Sequence, residues 1–203
     1  MEVGVIWMKQ AVQEEVYGNL LLNELMTSIW FGDWDQYEEI MSQLPENLLE
    51  EFPFHQYYNR EEISLWYDNY FKIPGAYFIP PYLSSYNDRS AEAQEKSRQD
   101  VLCLIGEYEK FGFYYPLDQD QFPDHFGSIT AFITATLKEE IKAIQANDDK
   151  LISQLNKLKQ QMYVSYLAKG IFNMTEHAKG KVEDLFFQEF LTYYARNMKQ
   201  ICG

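Results

Sequence analysis

A chain of 203 residues with 46% hydrophobic side chains is long enough to bury one sizeable core and fits a single domain over 1–203. Its net charge of −14 and pI of about 4.6 disfavour nucleic acid, because phosphate binding needs basic patches, and suit a basic partner drawn in by long-range attraction. The two cysteines, Cys103 and Cys202, make no disulfide framework or C-x-x-C pair; Cys103, inside Val101-Leu-Cys-Leu-Ile105, reads as a buried thiol in a reducing cytosol.

The N-terminus shows neither the basic region nor the continuous apolar core of a secretory signal. Nor does any run reach the roughly 18 apolar residues that span a bilayer. The expected location is the cytoplasm.

In chain order, Leu22, Leu25, Met26 and Ile29 give helical spacing to a first segment from about Ile6 to Trp30, ended by Gly32-Asp33. Asp33 caps a second helix over Trp34–Leu44, and Pro45 opens a short piece that Pro53 closes. Asn59 leads a helix through Ile63, Trp66, Tyr67, Tyr70 and Phe71.

Between Lys72 and Tyr86, Pro74, Gly75, Pro80 and Pro81 forbid a regular helix, yet the stretch carries Tyr77, Phe78, Ile79, Tyr82 and Tyr86. An apolar loop of this length either packs on the body or forms a recognition surface. Asp88 to Glu95 reads as a polar connection. A helix is expected from about Ser97, with Val101, Leu104 or Ile105, Tyr108 and Phe111 inward, stopped at Gly112.

The loop Asp118-Gln-Asp-Gln121 then delivers the chain to Pro123-Asp-His125, read as the first turn of a long helix. Proline suits the first helical position, and an acid suits the positive end of the helix dipole. Phe126, Ile129, Ile133, Leu137, Ile141 and Ile144 continue that helix to about Asn147. Leu151, Leu155, Leu158, Met162 and Tyr166 mark another, expected to stop at Gly170. A short piece runs from Ile171 to Ala178, and a last helix carries Val182, Phe186, Phe190, Tyr194, Met198 and Ile201. No alternating β pattern appears, so the chain reads as an all-α bundle of about eight to ten helices.

Nucleotide-binding fingerprints, an H-E-x-x-H motif and a serine elbow are absent. His55, His125 and His177 are scattered, which leaves no expected metal or cofactor. Asp124 and His125 remain open to three readings at this level. They are a recognition tip or a well-made helix start. The third, a small helical metal-dependent or acid–base hydrolase using Asp124 and His125, needs an unseen further group.

Two stretches together resemble the TorD/DmsD family of cytoplasmic maturation chaperones for molybdopterin oxidoreductases. Trp66-Tyr-Asp-Asn-Tyr-Phe71 followed by Ile79-Pro-Pro-Tyr-Leu-Ser-Ser-Tyr86 is similar to the family's D-Y-x-x-L-F and P-P-W-E-S-V-Y segment. Pro123-Asp-His125 matches its E-P-x-D-H motif, and Tyr108 to Gly112 its Y-x-x-x-G. The resemblance covers Leu65 to Leu137. Tyr82 stands where the family often has Trp, and Leu83 where it often has Glu. Gln121-Phe122 replaces the usual acid.

The resemblance implies an all-helical, non-catalytic protein. It would bind the twin-arginine signal peptide of a molybdopterin-containing oxidoreductase subunit and assist cofactor insertion before export, with at most transient membrane contact. It implies a peptide surface on Pro80, Pro81, Tyr82, Ser84, Ser85, Tyr86, Asp124 and His125. The two motifs should therefore lie together.

Overall fold

In the computed structural model the described residues are 2–87, 90–114 and 122–202, with side chains from residue 11 onward. Asp118–Gln121 and Asp88 lie outside them. The helices are α1 (Glu2–Phe31), α2 (Trp34–Ser42), α3 (Glu46–Leu49), α4 (Arg60–Tyr67), α5 (Ala91–Lys110), α6 (Phe126–Ala146), α7 (Asp149–Met162), α8 (Ala168–Ala178) and α9 (Leu185–Cys202). Among the described residues the only β pairing is one isolated bridge, between Tyr82 and His125. The fold is all-α.

Helix starts follow local capping chemistry. Asp33 accepts from Gln36 N, Asn59 from Glu61 and Glu62 N, Ser90 from Ala93 N, and Asp148 from Leu151 N. Asn147 closes α6 at φ 55°, a left-handed stop that Asn tolerates.

The core is built on α1, α6 and α9. The apolar stripes predicted for α6 and the last helix are all buried: Phe126, Ile129, Ile133, Leu137, Ile141 and Ile144 on the first, Phe186, Phe190, Tyr194, Met198 and Ile201 on the second. Helix α1 runs antiparallel to α6: Trp30 stacks on Phe126, Glu24 pairs with Lys138, and Gln145 donates to Tyr17. Trp30 is the hub, with Phe71, Phe126, Phe190 and Tyr194 rings all between 5.2 and 5.5 Å away. Helix α7 packs on α6 through Glu140 and Lys159, an ion pair at 2.6 Å with both side chains buried.

Four expectations are corrected. The long helix opens at Phe126, not Pro123, because His125 is extended (φ −64°, ψ 135°) and serves as the cap. Helix α5 begins at Ala91, since Ser90 supplies a cap that the polar run had concealed. Gly170 stops nothing: after a wide π turn at Tyr163–Leu167, α8 passes straight through it. Cys103 is exposed on α5, and Cys202 is the buried thiol; burial pushes Cys202 up to about 12.

Candidate functional site: a clasped loop flooring a groove

The two motif stretches meet. Pro80 and Pro81 have no N–H to satisfy, so this loop offers mainly carbonyls. The Pro81 carbonyl accepts from Phe126 N at 2.9 Å, and Leu83 N donates back to the Asp124 carbonyl at 3.0 Å. Ser84 N donates to Asp124 Oδ2 at 2.9 Å. The Pro81 carbonyl thereby satisfies the first orphan amide of α6, Phe126 N, from a segment distant in sequence. His125 satisfies the second: its Nδ1 accepts from Gly127 N at 2.9 Å. Tyr108 on α5 donates to the Pro123 carbonyl at 2.8 Å.

Close packing needs glycine at two points in this clasp. A Cβ on Gly127 would press into Phe31, His125 and Trp30, where α6 meets the end of α1. A Cβ on Gly170 would overlap the Leu83 side chain, which sits directly against α8.

The predicted site residues divide by position. Asp124 is 5% exposed and His125 1%. The His125 ring stacks on Phe31 and meets Trp30 and Tyr82 edge-on. Burial drives its pKa down to about 3, so Nδ1 stays an acceptor at neutral pH. Pro81 is buried; Pro80 is half-buried, and its carbonyl accepts from the Tyr86 hydroxyl at 2.7 Å. Tyr82 is half-buried against Phe122 and His125, with its pKa raised by burial and by Asp124. Tyr86 is half-buried with its ring on His177. Ser84 and Ser85 are exposed.

Leu83, Ser84 and Asp124 border a cavity of about 530 Å³. One wall is α5, through Ala93, Lys96, Ser97, Asp100, Val101 and Leu104. The other is the π turn and α8, through Ser165, Tyr166, Lys169, Gly170 and Asn173. Tyr166 leans toward α5: burial raises its pKa first, then Cys103, Glu107 and Asp100. The cavity thus holds two carboxylates, two lysines and an apolar lining of Leu83, Val101, Leu104 and Tyr166. Sequence reasoning missed both walls. The α5 wall was hidden by its polar composition, and the α8 wall by reading Gly170 as a stop. Among the described residues no group of three or more His, Cys, Asp or Glu side chains is placed to hold a metal ion.

An all-helical protein with a buried clasp under an open groove is the class that this geometry defines. Residues 37–170 match the family model described as nitrate reductase delta subunit, which spans more than half of the chain, and the chain belongs to that family. It is the family of NarJ/TorD-type chaperones, which act in molybdoenzyme maturation with the catalytic subunit. The match runs from α2 to Gly170 in α8, beyond the motif region on both sides. No curated protein and no solved structure matches the chain significantly. No helix among the described residues is long and apolar enough to cross a membrane.

Proposed function

We propose that this chaperone binds the twin-arginine signal peptide of a molybdopterin-containing oxidoreductase in the groove between α5 and α8, and retains that enzyme in the cytoplasm until its cofactor is inserted. The observation that carries the reading is the convergence of both motif stretches on the floor of one 530 Å³ cavity. Asp124 and Ser84 face the ligand there, with Leu83 beside them. His125, Pro81 and Tyr82 act one step back by holding that floor in place. The apolar lining suits the hydrophobic part of a signal peptide. Asp124 and Asp100 suit its arginines, since carboxylates form the strong, charge-assisted bonds that guanidinium groups prefer. The net charge of −14 steers a basic peptide inward.

A hydrolase built on Asp124 and His125 has little support. Asp124 Oδ2 is committed to Ser84 N and His125 Nδ1 to Gly127 N. A buried imidazole with a pKa near 3 is a poor base at neutral pH.

Titration calorimetry with the signal peptide of a molybdoenzyme encoded beside the chaperone tests the proposal. Binding should be measurable at low salt and weaken as salt rises. Absence of heat at low salt with every such peptide of the host counts against it.

A further inference from the structure

Helix α5 is anchored in the core at one end. Its buried residues are Leu104 and Tyr108, in the carboxy-terminal half. Tyr108 is held by the Pro123 carbonyl and by the rings of Phe113 and Phe132. Residues 91–103 contain no buried side chain at all. Asn87 Nδ2 to Ser97 Oγ, at 3.2 Å, ties this half to the floor loop. Elsewhere it has local support of its own: the Ser90 cap and the contacts of Glu95 with Arg98 and Gln99.

An unpacked helical stretch of this length is marginal in water, because packing of an apolar face supplies most helix stability. Elements with few buried apolar contacts open locally at low cost. Yet one face of the stretch, Ala93, Lys96, Ser97, Asp100 and Val101, forms a whole wall of the cavity. On the far side Leu102 is 67% exposed.

We propose that the amino-terminal half of α5 is a hinged wall, anchored at Leu104 and Tyr108, which closes on the segment bound in the groove and selects it through Lys96, Asp100 and Val101. This rests on the reading that the groove takes a signal peptide. The occupant supplies the apolar surface that residues 91–103 lack, so binding and docking of the wall are one event. Selection on α5 also separates two tasks. The motif residues hold the floor, and the wall reads the ligand.

Hydrogen exchange read by mass spectrometry on the full chain, paired with calorimetry on the same samples, tests this. In the free protein, amides of residues 95–103 should exchange at least about tenfold faster than those of α6. Saturating signal peptide should slow them by about tenfold or more. Val101→Asp should lower peptide affinity about tenfold while leaving the melting temperature unchanged, because Val101 belongs to no packed core. If residues 95–103 are as protected as α6 in the free protein, the hinge is wrong. If calorimetry shows binding but their exchange does not change, the wall does not close, and the peptide reading survives without it. If no peptide binds, the peptide reading fails and the closing wall fails with it.

Discussion

Asp124 and His125 are close neighbours in sequence and do different work. The Asp124 carboxylate holds Ser84 N and borders the cavity, so it belongs to both the clasp and the groove. Asp124→Asn keeps an acceptor for Ser84 N but removes the charge. It should cost on the order of 1 kcal/mol of stability, and on the order of 1–3 kcal/mol of peptide binding, about ten- to hundredfold in affinity. Melting temperature and calorimetry on one mutant measure both. His125 makes an acid-sensitive joint. Its folded pKa near 3 lies below the ordinary value of 6.5, so the unfolded chain binds the proton more readily. Its contribution is therefore complete above about pH 6.5 and is lost progressively toward pH 3, by about 1.4 kcal/mol per unit. Burial lowers His55 in the same direction. Denaturant midpoints between pH 7 and 4 should fall, and His125→Asn should flatten the fall while lowering stability at pH 7, since Asn caps helices but cannot fill the space among Phe31, Trp30 and Tyr82.

Among the elements, α6 and α8 show what local patterns reveal and where they stop. The stripe from Phe126 to Ile144 follows from spacing alone, and every residue of it is buried. The helix start was misplaced because Pro123 is a fair first-turn residue by local rules. What decides the start is Pro81, whose carbonyl takes Phe126 N from a distant loop. Gly170 was misread for the same kind of reason. By composition it is a stop; in the fold it is the gap that admits Leu83. Gly170→Ala raises helix propensity, and its methyl turns the end of the Leu83 side chain into the adjoining cavity; the two effects should largely offset, leaving stability within about 1 kcal/mol of the unchanged protein. Adding Leu83→Ala removes that contact, and thermal melts of the three variants measure what turning Leu83 costs. At the α6–α7 contact, Lys159→Met strands Glu140 in a buried setting and should cost about 3–5 kcal/mol, whereas the double change Glu140→Met with Lys159→Met should be far milder.

At the level of the whole molecule, the all-α class and the meeting of the two motifs were legible, because apolar periodicity and an apolar loop that must pack are both local signals. The groove was not, because its walls are made of exposed residues on α5 and of a π turn that no spacing rule announces. The family match places the chain among molybdoenzyme maturation chaperones, and its net charge of −14 predicts salt-sensitive capture of a basic segment. The central claim is that the clasp builds a floor on which a signal peptide lies. The most direct measurement is photo-crosslinking from a twin-arginine signal peptide carrying the reactive group beside its arginines, with the attachment sites read by mass spectrometry. The account predicts attachment to residues 83–87, 93–104 and 165–173. Attachment concentrated on the acidic surface of α2 and α3 instead, with the groove unlabelled, would contradict it.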